Sequence, residues 1–518
     1  MFLRQRLDDI FKSALASIEK KHELGAVHLP SSFVRAIETG EHGDYASTLP
    51  FQLAKLWHTS PEGAGMAVKE ALEATAPGGI FKLIDPVRGF LNIVVDDGIY
   101  QNEVIEILKA GAKYGSGKKK KESYSLDYLD ANPTGPVHIG HARSGFLGDI
   151  VARVLKRAGY PVSREFYVNN ARSSGQIQSL GRTVRGEGEE YMNDELTELL
   201  KKPGVAARLK KTKNAADAGS YIASCIQKKN AEFLKKREGI QFDLFFEEQS
   251  VYGKKLHTTV LRELEKKGAL YTKEGAVWFR AKKFGDTEDR VLVRSTGEPT
   301  YILPDIAYHI DRLVRRKYTY ALDVFGADHH GYGPRLRGAL TALGIAPDRV
   351  HIITAQTVRL MKDGTEFKMS KRKGIFVALE DLIAEVGADA VRFFFILHSP
   401  DTHMDFDMSL AVERSAKNPV YYAQYSYARI ASIMRHAKRD GYTAAHLALL
   451  TTPEERKVMK MLSRFPELIE DTARDFNVLR LGTYAIELAR VFHHFYENCR
   501  VISDDKKLTE ARLALAEA

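Results

Sequence analysis

Tyr124-Ser-Leu-Asp-Tyr-Leu-Asp130, then Asn132-Pro-Thr-Gly-Pro136, then the run from Val137 to Tyr160 decide the fold of this chain. The first is a short, largely apolar stretch bounded by turn residues, which reads as a buried strand. The second is a turn, and the third repeats its apolar residues at helical spacing. Pro161-Val-Ser-Arg-Glu-Phe-Tyr-Val168 reads as the next strand. Strand, helix and strand in this order predict one βαβ unit of a parallel sheet. A second βα unit lies far downstream: a strand at Tyr320–Gly326, a loop at 327–331, a helix from Pro334 to Gly344 and a strand from Arg349 to Thr357. The expected class is α/β, with one parallel sheet split into two halves.

Working outward, the chain has 518 residues, 44% hydrophobic and 28% charged, enough for several packed cores. Residues 1–110 read as an N-terminal α+β domain, and 111–123, with three glycines and Lys118 to Lys121, as a linker. The α/β domain spans 124–408, with an insertion at about 185–255. From 409 to 518 strand patterns stop, leaving an all-helical domain. Two cysteines, Cys225 and Cys499, exclude a disulfide framework and a cysteine-based zinc module. No apolar run approaches ~18 residues, so no membrane span is expected. The opening MFLRQRLDDIFKSALASIEKK carries acids and lacks the pattern of a signal or transit peptide, which predicts a cytoplasmic protein. The net charge of +10 suits a polyanionic partner. Its excess concentrates between Lys201 and Glu238, where eleven Lys/Arg face three Asp/Glu. Taken alone, that cluster would pass for a solvated helix face.

Two constellations carry chemistry. Ala131-Asn-Pro-Thr-Gly-Pro-Val-His-Ile-Gly-His141 spans the strand-to-helix junction. Pro136 suits a helix start, and a helix N-terminus presents unpaired N–H groups and a partial positive charge. His138 and His141, three apart, are expected on one face beside that anion-seeking end. Gly140 leaves room for a flat ring against the backbone. The set reads as a cradle for phosphate and nucleotide. A zinc site is excluded, because no third ligand lies nearby and no His-Glu-x-x-His occurs.

The other constellation is Phe367-Lys-Met-Ser-Lys-Arg-Lys-Gly374, four cations within six residues. A loop of this kind can neutralise charge growing on a departing pyrophosphate. It is not a Walker loop, since no G-x-x-x-x-G-K-[ST] occurs. Four letters alone would pass for a solvated basic turn. Their pairing with a histidine cradle in the other half of the sheet gives them weight.

His-Ile-Gly-His followed by Lys-Met-Ser-Lys on a split parallel domain resembles a class I aminoacyl-tRNA synthetase. Longer strings narrow this: ANPTGPVHIGHARSG from Ala131, GADHHGYGPRL from Gly326, VRLMKDGTEFKMSKRKG from Val358, NPVYYAQYSYARI from Asn418 and LARVFHHFYENCRV from Leu488 resemble arginyl-tRNA synthetases. GDYASTLPFQLAK from Gly43 resembles their N-terminal extra domain, so the similarity covers essentially the whole chain. The resemblance implies a Rossmann-like catalytic domain, an anticodon-binding helical domain and a monomer without a membrane partner. Its substrates would be L-arginine, ATP accompanied by Mg²⁺, and tRNA(Arg), with no zinc.

Carried onto matching positions, the resemblance makes His138, His141, Lys368 and Lys371 catalytic. Pro133, Thr134, Gly135, Gly140, Gly326, Asp328, Met369 and Ser370 join the histidines around ATP. Asn132, Glu248, Tyr301, Asp305 and His329 (or His330) would hold arginine. A guanidinium binds best through paired, charge-assisted hydrogen bonds, so two carboxylates suit it. Tyr301-Ile-Leu-Pro-Asp305 matches the family's Tyr-x-x-x-Asp, with Pro304 admissible in a first helical turn. In Phe242-Asp-Leu-Phe-Phe-Glu-Glu248, alignment with the family favours Glu248 over Glu247. Tyr421, Tyr422 and Gln424, with Lys210 and Lys211 of the insertion, would touch tRNA. Because Tyr421, Tyr422, Tyr425 and Tyr427 cannot share one helical face, at least half are expected in the core. Two departures stand out. Tyr167-Val-Asn-Asn-Ala-Arg-Ser-Ser-Gly-Gln176 matches the family's Asn-Asp-Ala-Gly-x-Gln only loosely, and Arg372 replaces a serine. Relatives of the family extend beyond the position of Ala518, so the helical domain is expected to be either naturally short or truncated.

Two other readings stay open. One is a class I ligase for another amino acid. Scarce cysteine weighs against a cysteine enzyme, and acids at Glu248 and Asp305 would repel glutamate. The second is a catalytically silent RNA-binding relative, against which the intact histidines and lysines count.

Overall fold

The computed structural model describes residues 2–22, 32–37, 42–129, 131–327, 331–367, 377–437 and 446–518. They form two compact units, one of Lys118–Val420 with Asp475–Gly482, the other of Met1–Gly117 with Tyr421–Arg474 and Thr483–Ala518.

In the first unit five strands run parallel: β1 (Tyr124–Tyr128), β2 (Val162–Val168), β3 (Leu244–Glu247), β4 (Tyr320–Gly326) and β5 (Val350–Ala355). Their order across the sheet is β5-β4-β1-β2-β3. The order therefore reverses between β1 and β4, and open sheets of this Rossmann type take ligands in the crevice outside the carboxyl ends at that reversal. Helix α1 (Ile139–Arg157) follows β1 and buries most of its length, including Phe146, Val151 and Leu155. It can lie this close because residue 148 is glycine. A Cβ there would stand 2.3 Å from the Tyr128 ring.

Crossover segments place the remaining helices around the site: α2 (Gly175–Val184), α3 (Ala215–Glu238), α4 (Ile302–Ile310) and α5 (Tyr332–Ala342). The stretch read as an insertion, 185–255, contains β3, so the main sheet resumes by Leu244. Four residues at a sheet edge, with only Phe246 buried, give too short a pattern to stand out in sequence. The helical segment around α3 is what separates β2 from β3. Two smaller sheets also escaped the sequence reading. One is antiparallel, built from Leu270–Lys273, Ala276–Phe279 and Arg290–Val293. The other pairs Val358–Lys362 in parallel with Met404–Asp407.

The second unit joins both ends of the chain. A four-stranded antiparallel sheet (Arg35–Ala36, Tyr45–Ser47, Phe90–Val95, Phe81–Val87) shares one core with the C-terminal helices, from Leu7 and Phe11 to Phe492 and Phe495. Buried charge ties the two parts: Arg456 reaches Asp44 at 2.7 Å and Asp97 at 2.5 Å, and the Tyr45 hydroxyl donates to Glu467 at 2.6 Å. No helix among the described residues is long and apolar enough to cross a membrane.

Burial pushes the Glu467 carboxyl up to about 7, against the pull of Arg4 and Tyr45. The folded unit therefore holds a proton that the unfolded chain releases near pH 4.5. Its contribution is full below that value and is lost as pH rises through about 7. Glu467→Gln keeps an acceptor for Tyr45 and removes the titration. The variant should be more stable than the parent at pH 8.5, by on the order of 2 kcal/mol, with little difference at pH 5. Calorimetric melting at the two pH values measures this, and equal melting differences at both would refute it.

Candidate active site

The helix after β1 starts at Ile139, not at Pro136. Pro136 and Val137 stay extended because this stretch pairs with another: the Ile139 N–H donates to Val377 O at 3.1 Å, and the Leu379 N–H donates to Val137 O at 2.9 Å. His138, which bridges to Ala378, is the helix cap. Its Nδ1 accepts the Gly140 N–H at 3.2 Å. The His138 and His141 rings stack with centroids 3.5 Å apart. A Cβ on Gly140 would lie 3.1 Å from the His138 ring, so glycine keeps this approach open.

The turn before the helix is held from α3, within the long segment that parts the sheet halves. Buried Gln227 donates through Nε2 to Ala131 O, and buried Asn230 through Nδ2 to Gly135 O at 3.1 Å. Gln176 reaches the Thr134 hydroxyl at 3.4 Å. Pro133, Thr134 and Gly135 thus build the turn and are not among the residues lining the cavity beside it, whereas Asn132 is.

That cavity, of about 1340 Å³, opens at the reversal between β1 and β4. Asn132, His138, Gly140 and His141 form one side, Gly326 stands at the end of β4, and Gln356 to Leu360 form a further wall. Glu248, Tyr301 and Asp305 line the same space. The sites expected at Asp328, His329, Lys368, Met369, Ser370 and Lys371 lie outside the described residues. The neighbours of the lysine segment, Phe367 and Val377, both line the cavity.

Asp305 sits in the first turn of α4, and Pro304 is its third residue, where no intrahelical N–H is required. The Tyr332 hydroxyl donates to Asp305 Oδ2. Tyr301 stacks on Tyr332 at 5.9 Å, and its hydroxyl receives Arg335 Nη1 at 2.6 Å. Behind them Tyr167 is buried, and burial with the nearby charges of Glu248 and Asp305 holds its hydroxyl well above the usual range. Burial and Glu248 push Tyr252 to about 12. These phenols stay neutral donors beside two acids. Below lies a network of buried charge, Arg312 on Asp323 and Ser125, His309 on Asp323 at 2.7 Å, and Tyr308 on Glu165, which the half-buried Arg316 joins through Glu165. Burial alone would raise Asp323 and Glu165, and their arginine partners outweigh it and keep both carboxyls low.

Sequence reasoning missed Asp127, Tyr167, Gln176 and Tyr332. Asp127 had a signal, as the polar residue within an otherwise buried strand, and Tyr332 lay inside the string GADHHGYGPRL. Removing the hydroxyl with Tyr332→Phe frees a carboxylate lone pair and loosens its aim. We expect the KM for a guanidinium substrate to rise about tenfold, the value of one hydrogen bond to a charged group, with kcat changed less. An unchanged KM would show that Tyr332 only packs.

In the other unit, none of the four tyrosines is in the core. Tyr421 and Tyr422 are half-buried, while Tyr425 and Tyr427 are 40% and 75% exposed. The helix Pro419–His436 buries Val420, Ser426 and Ile433 instead. Gln424 is exposed. Tyr421 stacks on Tyr425 at 6.0 Å, and the Arg429 guanidinium lies between Tyr425 and Tyr496, 4.9 and 4.5 Å from their rings. Lys210 and Lys211 are exposed just beyond the helix Pro203–Leu209.

Comparisons with known proteins place the chain in a family. The family model for the catalytic domain of tRNA synthetases class I (R) matches residues 103–199 and 171–432. The arginyl tRNA synthetase N terminal domain matches 5–95, and the DALR anticodon binding domain matches 423–518. An arginine–tRNA ligase of Moorella thermoacetica is 35% identical over 99% of this chain and 95% of its own length. One from Geobacter sp. is 38% identical over 94% of this chain and 91% of its own. The arginyl-tRNA synthetase of Thermus thermophilus shares the fold with a TM-score of 0.78 at 20% identity, covering 99% of this chain and 96% of that one. With a histidine-capped helix and two acids lining one cavity at the sheet reversal, and three family models that together match nearly the whole length, the chain belongs to the arginyl-tRNA synthetases of class I.

Proposed function

We propose that this protein ligates L-arginine to tRNA(Arg) with ATP, through an arginyl-adenylate. The observation that carries the reading is one cavity lined both by the stacked His138 and His141 at a helix start and by two carboxylates, Glu248 and Asp305. The acids take the guanidinium, and Asn132 orients the α-substituents. The arginine carboxylate attacks the α-phosphorus of ATP, forming a new P–O bond as the bond to pyrophosphate breaks. The 2′-hydroxyl of the terminal tRNA ribose then takes the arginyl group, releasing AMP. No covalent enzyme intermediate is needed, so positioning and charge stabilisation carry the rate. His138, His141, Lys368 and Lys371 supply that stabilisation.

Mg²⁺ enters with the triphosphate, whose oxygens furnish most of its ligands. Among the described residues no group of three His, Cys, Asp or Glu side chains makes a resident metal site. In the other unit, the Tyr421–Tyr425–Arg429–Tyr496 surface suits stacking on unpaired anticodon bases; in the first unit, Lys210 and Lys211 suit the phosphate backbone. The protein acts as a cytoplasmic monomer in this reading.

ATP–pyrophosphate exchange with each amino acid, with and without tRNA(Arg), tests the proposal. Exchange is expected with arginine alone. Exchange with glutamate or cysteine would reassign the substrate, and none with any amino acid would favour an RNA-binding protein without catalysis.

A further inference from the structure

Arg143 lies on α1 two residues beyond His141, is fully buried, and meets no carboxylate in a hydrogen bond or ion pair among the described residues. Its guanidinium donates instead to three backbone carbonyls: Gln356 at 2.9 Å, Thr402 at 2.7 Å and Ser399 at 2.6 Å. Those carbonyls belong to the two segments that lead into the parallel pair Val358–Lys362 and Met404–Asp407. Gln356 N–H also donates to Pro400 O at 2.9 Å, which ties the two lead-in segments to each other. Gln356 to Leu360 form a cavity wall, and His138 and His141 form another.

The chemistry argues for a purpose beyond packing. Burial depresses the guanidinium to about 10, with only Asp401 opposing it at a distance. A helix-to-strand contact filled by an apolar side chain of similar volume would avoid that desolvation. What an apolar side chain lacks is the planar fork, which grips several carbonyls at fixed angles and so fixes a backbone rather than fills a space. Carbonyl-only contacts also leave the fork nothing else to select.

We propose that Arg143 is the positioning residue for the nucleotide side of the cavity, clamping the wall Gln356–Leu360 at a set distance from the histidine-bearing helix. It acts through that wall and touches no substrate. The inference rests on the proposed function, with arginine held by Glu248 and Asp305, and adds that ATP lies between the histidines and that wall.

Arg143→Lys is the test, because its single, shorter-stemmed nitrogen cannot occupy both the Nη1 and Nη2 positions from which the three carbonyls are met. The KM for ATP in pyrophosphate exchange should rise tenfold or more, while the KM for arginine stays within about twofold. Amide hydrogen exchange should quicken at 356–360 and stay unchanged in β2 and α4. A merely structural role would weaken both ligands together in step with a lower melting temperature, and that result overturns the proposal. So does an unchanged KM for ATP. Arg143→Gln, which can still reach one carbonyl, is the second variant. If neither variant folds, the guanidinium is a requirement of the fold and the assignment is wrong. The amide exchange needs no turnover. Failure of the unaltered protein to exchange pyrophosphate with arginine in the presence of tRNA(Arg) would sink the site reading, whereas unaltered amide protection at 356–360 in the variant would sink the clamp alone.

Discussion

Asp305→Asn should raise the KM for arginine about 30- to 1000-fold in ATP–pyrophosphate exchange and leave the KM for ATP within about threefold. The range follows from removing one charge of a desolvated guanidinium–carboxylate pair, about 2–4 kcal/mol, at about 1.4 kcal/mol per tenfold. The substitution is close to isosteric, and the Asn carbonyl still accepts from the Tyr332 hydroxyl, so α4 and the Tyr301–Tyr332 stack have no reason to move. What is lost is charge in a recess whose neighbours, Tyr167, Tyr252 and Tyr332, are all held as neutral phenols. Glu248 then faces the guanidinium alone. A neutral isostere of arginine, citrulline, should gain relative to arginine in the variant, since the penalty for facing two acids falls. If the KM for ATP rose by the same factor, Asp305 would be serving the nucleotide, and the division of the cavity into two halves would be wrong.

How far the sequence reached depended on whether a feature was local. β1, the turn and α1 were legible because apolar spacing changes from strand to helix across Asn132–Pro136. The placing of His138 and His141 at the start of that helix was legible for the same reason, although the cap geometry was not. His138 stays extended because Val377 and Leu379 pair with its neighbours from more than 230 positions away, and no local pattern encodes that partner. β3 was hidden by brevity and by its place at an edge. The part played by α3 was hidden differently. Gln227 and Asn230 look like ordinary polar residues on a basic helix, yet both are buried and hold the turn that carries Asn132. Tyr332 and Arg143 sat inside quoted motifs, but what each one bonds is decided by tertiary packing. The tyrosines at 421–427 were misjudged because helical spacing says only that they cannot share a face. It does not say that Val420, Ser426 and Ile433 would take the core positions.

Lys371→Ala carries the largest expected effect on rate, a fall of about 10²–10³-fold in kcat for arginine activation with arginine affinity nearly unchanged. The direction follows from where charge develops. As the P–O bond to pyrophosphate breaks, negative charge grows on the leaving oxygens, and a cation placed there stabilises the transition state more than the bound ground state. Lys371 itself lies outside the described residues, but the chain on either side of its segment is well fixed. Upstream, the Phe367 N–H donates to Leu360 O at 2.8 Å. Downstream, Val377 and Leu379 bond the backbone on both sides of His138, and Phe367 and Val377 both face the cavity. Both residues that flank it therefore line the cavity that the proposed function gives to the triphosphate. Lys371→Arg keeps the charge in a wider, planar group and should recover part of the rate, whereas Lys371→Met, which keeps the stem, should recover none. Single-turnover adenylate formation separates the chemical step from product release. A Lys371→Ala variant with normal single-turnover rates would remove this segment from the chemistry, and the stabilisation would then fall to His138 and His141 alone.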